Sequence, residues 1–444
     1  MPSATYRREL GLFSATMSVV GGIIGTGIFL NPSHVAQRLP SAGWSLAAWA
    51  TGGVIALLGA FIFAELGQRM PKVGGGYAYL REAFGPLPGF LYGWALLLIM
   101  ATGAAAAVAM TFATYLQALT GYPPALVPAV AAAALVALSL LNIAGVRPAA
   151  WTLNVLTVLK LLALVTLIGA GLFLGGPERL AAVSYPAPAT PSGPLYLLFA
   201  NALVPILFSY GGWQQTNFVA EEIRDPEKTL PRALLLGVLI VVAVYVLANA
   251  AYLRTLGHAG LAASTAPASD TMALTLGGWG RTFITAGIVI STFGFLDLVI
   301  LVSPRVYQAM AADGLFFRSF ARISPRTGTP VTAIAFQGLW AVALLFTKTY
   351  GQLLDYVTFA DWIFFGTTAL TLLVLRRRPA AEGFRAPAAP LMVGLFVAAA
   401  AYVVVGSIAN DRANALIGAG LLALGVPVYL FWRKRGGLAP GPTR

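Results

Sequence analysis

SVVGGIIGTGIFLNPSHV, residues 18–35, sets four glycines (Gly21, Gly22, Gly25 and Gly27) within seven consecutive positions of an otherwise apolar segment. Inside a helix each glycine costs about 1 kcal/mol relative to alanine. Two readings compete for such a stretch. Glycines let membrane helices pack closely, as in small-xxx-small contacts. Alternatively the helix breaks here, and the peptide groups it frees need a polar partner that lipid does not provide. A phosphate-cradling loop is a poorer fit, because no strand precedes the glycines and GGIIGTG lacks both the dinucleotide spacing and a P-loop lysine.

The rest of the chain makes the surrounding solvent lipid. Of 444 residues, 58% are hydrophobic and 10% charged, with a mean hydropathy of +0.80, against ~25% charged in an average soluble chain. The length accommodates roughly a dozen helices of ~20 residues. Apolar runs at 11–37, 43–68, 86–119, 125–145, 149–176, 194–220, 231–253, 280–311, 330–347, 352–375, 387–408 and 412–432 predict twelve spans. The charge-free stretch from Ala83 to Val146 is too long for one span and divides at TGYPP, 120–124. The first run continues into the glycine segment without a small-residue cleavage site, so no removable signal peptide is expected. With no cysteine there are no disulfides and no thiolate metal ligands. Two histidines, His34 and His258, are too few for a histidine-rich site, and neither metal nor cofactor is expected.

A net charge of +13 suggests nucleic acid until the charges are placed. An even number of spans puts both termini on one side. The termini and the even-to-odd loops carry 21 of the 28 Lys and Arg residues, the opposite loops six, and Lys160 lies inside a span. Positive residues concentrate on the cytoplasmic side, so both termini are expected in the cytoplasm. The basic charge then faces lipid, and no nucleic acid partner is implied.

A second glycine break occurs in LFSYGGWQQTNFVAEEIRDPEKTLP, residues 207–231, in the sixth span and five spans after the first. Gly-interrupted segments at matching places in two halves are the best sequence pointer to a transporter binding site. A half-helix that starts after a break offers free N–H groups and a positive dipole end to a carboxylate. The carbonyls ending the preceding half-helix suit an ammonium. Two such breaks together fit a zwitterion.

At these residues the chain resembles the amino acid–polyamine–organocation superfamily, closest to its L-type amino acid transporter branch. GGIIGTGIF (21–29) is similar to the first-helix signature, with Thr26 where Ser is also common. AELGQRMPKVGGGYAYLREAFG (64–85) looks like the end of helix two with its loop, FSYGGWQQTNFVAEEIRDPEKTLP (208–231) like helix six, and STFGFLDLVILVSPRVYQAMAADG (291–314) like helix eight. The resemblance runs over about 6–435. It implies an all-α polytopic membrane protein of twelve transmembrane helices with a five-plus-five inverted repeat of the LeuT type. Helices 1–5 (11–176) and 6–10 (194–376) form the repeats, helices 11 and 12 (387–433) are appended, and helices 1 and 6 are discontinuous. It also implies alternating access around a site near the bilayer midplane. There Thr26 and Gly27, with Gly25 in the same break, offer N–H groups to a substrate carboxylate. Ile23, Phe208, Ser209 and Gly211 offer carbonyls to its amine. Phe208 stands where the family places an aromatic gate; without the resemblance it reads equally as a core aromatic.

Lys160, in TLNVLTVLKLLALVTLIGAG (152–171), lies mid-span, and an ionisable residue in lipid is a functional hypothesis by default. Snorkelling to an interface is the weaker reading, since Lys160 is about 12 residues into its span. In the resembling branch a helix-five lysine takes the place of a sodium ion and bridges helices one and eight, which argues for sodium-independent transport. Asp297, in FGFLDLVIL (293–301), stands where the branch usually has Asn. Pairing with Lys160, carrying a proton, preferring a cationic substrate and a plain structural hydrogen bond all remain open for it. Asp361, in FADWIFFG (359–366), is a weaker copy nearer the outer boundary. Glu65, Glu221, Glu222 and Asp225 read as structural groups at the membrane edge with Arg224 and Lys228. Trp213 lines the cavity or sits in the core.

The expected function is a secondary carrier of L-amino acids, working by exchange or by proton-linked uptake. Small neutral substrates are the first expectation, because Asp297 alone does not establish cationic ones. A cationic amino acid or amine permease of the same fold and a non-transporting sensor are the alternatives. A membrane-embedded enzyme is disfavoured, since no Ser–His–Asp set, metal motif or Glu–His pairing appears. Amino acid and membrane lipid are the expected partners, with no obligatory protein partner.

Overall fold

The computed structural model describes residues 6–176, 192–346, 350–378, 383–410 and 412–435. Lys348, Arg179 and Arg444, which entered the charge count, fall outside them. Among the described residues every element is helical, apart from one isolated parallel bridge between Leu10 and Ile223.

Eleven helical segments among the described residues are long and apolar enough to cross a bilayer, beginning with Leu12–Arg38 and Ala42–Arg69. The ninth predicted span, Val331–Leu345, is a helix of 15 residues, about 22 Å at 1.5 Å per residue and so shorter than a ~30 Å hydrocarbon core. The seventh and eighth spans are longer than their apolar runs, at Pro226–Ala263 and Pro267–Ala312. Each contains a kink at a glycine with positive φ, Gly257 (φ 64°) and Gly277 (φ 68°), a conformation that a Cβ makes costly. Each glycine thereby sets a short helix, which hydropathy alone read as loop, at an angle to the span it flanks.

The first span breaks where the glycines stand. Its half-helices are Leu12–Ile23 and Gly27–Arg38. The sixth breaks into the helix Leu195–Ser209 and the 3-10 helix Trp213–Glu222. The second span packs along the seventh, the third along the eighth and the fourth along the ninth. One apolar cluster joins the third, fourth, eighth and ninth spans. Another joins parts of the first, second, sixth, seventh and eleventh. Outward from both stand exposed apolar side chains such as Leu140, Trp151, Leu339 and Leu416, a surface suited to lipid rather than water.

The loops grouped by charge do share one end of the bundle. Glu9 and Leu10 donate backbone N–H groups to Glu222, and Arg224 returns one to Leu10. All six ion pairs among the described residues lie at this end, including Arg147 with Glu9 and Arg378 with Glu82. Glu65 holds Arg69, Arg376 and the Ala386 N–H. Glu222 holds Arg305 in a pair with no solvent exposure on either side chain. Glu221 accepts from the Val73 N–H, and Asp225 turns the chain with φ 44°. These carboxylates are structural. In the connection after the second span, Tyr77 donates to Asp313, which also accepts from Arg81. Burial beside that carboxylate pushes the Tyr77 hydroxyl above the ordinary tyrosine range, so it stays a donor.

Candidate functional site

The two breaks meet back to back. A Cβ on Gly22 would stand 2.8 Å from Leu298 Cδ2 and 2.9 Å from the Gly212 carbonyl. Gly212 has φ 109° and packs equally hard on the Gly22 carbonyl. Both glycines are therefore required by close backbone approach, as the packing reading of such residues holds. The breaks are nonetheless real: between Ile23 and Gly27 the i→i−4 ladder lapses, and the Gly25 N–H turns back to the Ile23 carbonyl at 2.9 Å. Close backbone packing and a broken helical ladder coexist at this crossing.

Broken helices leave backbone groups without ladder partners, and the neighbouring spans supply some. Lys160 of the fifth span donates its Nζ to the Ile24 carbonyl at 2.8 Å and the Gly21 carbonyl at 3.3 Å. Ser291 of the eighth span also donates to Ile24, at 3.2 Å. A Cβ on Gly294, one helical turn further along, would lie 3.6 Å from Lys160 Nζ. The lysine thus sits between the unwound first helix and the eighth.

Tyr245 of the seventh span, which the sequence did not single out, bonds both breaks. Its hydroxyl lies 3.0 Å from the Ile23 carbonyl and 3.2 Å from the Ser209 carbonyl. Those two carbonyls, expected for a substrate amine, therefore share a single O–H, and the Phe208 carbonyl accepts from Gly211. A carbonyl carries a second lone pair, so each keeps acceptor capacity. Because the hydroxyl bridges elements that must stay in register, Tyr245→Phe is expected to weaken substrate affinity roughly fivefold, from the ~1 kcal/mol of a typical net hydrogen bond. Equilibrium binding on the purified variant measures this, and wild-type affinity contradicts it.

Around the crossing lies a cavity bounded by the first, third, sixth, eighth and tenth spans. All seven residues expected to contact substrate line it: Ile23, Gly25, Thr26, Gly27, Phe208, Ser209 and Gly211. The third span contributes Leu96 and Met100 from a π-helical turn, Leu96–Met100, an irregularity frequent at functional sites. Ser209 is held in place by Asn31, whose Nδ2 donates to its Oγ at 2.8 Å and to the Pro205 carbonyl at 2.9 Å.

Other expected residues lie elsewhere. Trp213 is buried against Phe63 at 4.8 Å between ring centres and does not line the cavity, which places it in the core. Asp297 does not line it either and forms no ion pair with Lys160 among the described residues. Its Oδ1 accepts from Asn142 of the fourth span at 2.8 Å, and its Oδ2 has no partner there. The carboxylate that does face the cavity is Asp361.

Residues 10–426 match the amino acid permease family. The chain is 33% identical to the b(0,+)-type amino acid transporter 1 of Mus musculus, covering 89% of this chain and 83% of that protein. It is 35% identical to the Asc-type amino acid transporter 1 of Homo sapiens, covering 97% and 83%. It is 33% identical to the large neutral amino acids transporter small subunit 2 of Mus musculus, covering 97% and 82%.

Proposed function

This chain belongs to the amino acid permease family, and on that premise we propose that it carries L-α-amino acids by alternating access without sodium, gripping the zwitterionic head group between its two broken helices. It is a multi-pass membrane transporter, not an enzyme. In the proposal, the amides opening the Gly27–Arg38 half-helix hold the carboxylate, aided by that helix's positive end. The second lone pairs of the Ile23, Phe208, Ser209 and Gly211 carbonyls hold the amine. Phe208, at the edge of the same cavity, is the gate.

One observation carries the reading: the two breaks converge on a single cavity that all the expected contact residues line. Packing of the second span with the seventh, the third with the eighth and the fourth with the ninth supports two five-helix repeats, 11–176 and 194–376, with 387–433 appended. Clustering of the basic loops at one end supports a cell-membrane protein with both termini in the cytoplasm.

The place of Lys160 supports sodium independence. Its Nζ supplies donors to carbonyls of the first helix that a sodium ion would otherwise coordinate. Purified protein in liposomes is therefore expected to take up amino acids at equal rates in sodium and choline media. Strict dependence on sodium overturns the reading. Loading the same vesicles with unlabelled amino acid separates exchange, which the internal pool accelerates, from proton-linked uptake, which a pH gradient accelerates.

A further inference from the structure

Asp361 is the only ionisable side chain among the described residues that line the cavity. Among the described residues, Glu65 and Glu222 are engaged by arginines, and Asp297 lies off the cavity with Oδ1 on Asn142 and Oδ2 without a partner. Asp361 has no hydrogen bond or ion pair among the described residues. Gln215 lines the same cavity, and its buried Oε1 also has no partner. Its neighbour Gln214 uses the equivalent atom to accept from the Gly212 N–H at 3.1 Å.

Both unmatched polar groups are acceptors. Gln215 Oε1 is buried without a partner, which is costly, and the partly exposed Asp361 carboxyl opens on the same space without a protein donor, so the cavity is short of donors. Trp362 and Phe365 follow Asp361 along the same lining, and Phe218 stands in it from the sixth span. Aromatic faces attract cations that have left water. A carboxylate, an amide oxygen and aromatic rings together suit an ammonium or guanidinium.

We propose that Asp361 and Gln215 form the side-chain subsite of this carrier and that its substrates are basic α-amino acids, those whose side chain ends in an ammonium or guanidinium. The inference rests on the carrier reading above, with the head group held at the breaks and the side-chain cation at the tenth span. It is an alternative to the expectation of small neutral substrates, and the competition test below decides between them. It also moves the acidic determinant from Asp297, which the fold turns toward the fourth span, to Asp361.

Arginine and citrulline test it, because they share shape and length and differ in charge. Counterflow of labelled L-arginine into liposomes preloaded with L-arginine is measured, with unlabelled L-arginine or L-citrulline as competitor and labelled L-alanine in parallel. In the wild-type protein arginine is expected to compete at least about tenfold more strongly than citrulline, the scale of a charge-assisted hydrogen bond. In Asp361→Asn that ratio falls toward one, and Gln215→Leu lowers it by a smaller factor. Equal competition by citrulline in the wild-type protein overturns the proposal and leaves the carrier reading standing; it is the result expected if a proton rather than a substrate cation satisfies Asp361. A ratio that survives in Asp361→Asn overturns it as well. Should that variant fail to assemble, the wild-type ratio and Gln215→Leu decide. Absence of counterflow for every amino acid overturns the carrier reading and this inference with it.

Discussion

Replacing Lys160 with alanine is expected to cut amino acid flux by about a hundredfold while the protein still reaches the membrane. The magnitude follows from what the lysine holds. The Gly21 carbonyl has no ladder partner, because the Gly25 N–H that would serve it points to Ile23; Lys160 Nζ reaches it at 3.3 Å. The Ile24 carbonyl would keep Ser291 but lose the shorter bond at 2.8 Å. A buried acceptor left unsatisfied costs about 1–3 kcal/mol, and each ~1.4 kcal/mol is a factor of ten. The loss falls on the state in which the first helix is unwound against the fifth, so it appears in transport before it appears in assembly. Lys160→Met preserves most of the volume and separates packing from donation: it is expected to be as inactive as alanine while eluting as a monodisperse species on size exclusion. Flux at the wild-type level in either variant removes the lysine from the mechanism.

Much of this arrangement is legible in the residues themselves, and the limits have physical causes. The breaks are visible because four glycines in seven positions of an apolar segment make no sense as ordinary helix, and their recurrence five spans later narrows the explanation. Lys160 is visible because a cation in lipid needs a reason. Tyr245 is not. In VVAVYVLANAAYLR a tyrosine reads as a core or interfacial aromatic, and only the seventh span's packing on the first turns its hydroxyl to Ile23 and Ser209. The two mid-span aspartates show the same limit from the other side. A helix turns 100° per residue, so mid-span position says nothing about which way a carboxylate faces until neighbouring helices are placed. Asp297 meets Asn142, and Asp361 faces the cavity. Hydropathy also misses Gly257 and Gly277, whose positive φ separates a short helix from the long one of each span.

Gly27→Val is expected to weaken substrate binding by one to two orders of magnitude, for a reason stronger than crowding of the neighbouring N–H groups. A Cβ at position 27 would stand 2.7 Å from Ser209 Cβ and 2.9 Å from Ser209 Cα, distances that real Cβ atoms do not adopt, so one element must move. Ser209 cannot easily give way. Its Oγ is bound by Asn31 and bonds the Pro205 carbonyl at 2.8 Å, and its own carbonyl is tied to Tyr245. The half-helix that begins at Gly27 must therefore shift off the one that ends at Ser209, separating the groups that hold the two ends of a zwitterion. Overpacking of this kind costs about 1–3 kcal/mol, enough to lower affinity by one to two orders of magnitude in a protein that still assembles. Because the closest contacts are side-chain atoms of Ser209, Gly27→Ala combined with Ser209→Gly is expected to bind more tightly than Gly27→Ala alone, a non-additivity that residues in contact show and distant ones do not. Equilibrium binding on the four proteins of that cycle, with thermal unfolding run alongside, separates loss of the site from loss of the fold. Unchanged affinity in Gly27→Val means that the carboxylate is held somewhere other than the mouth of this half-helix.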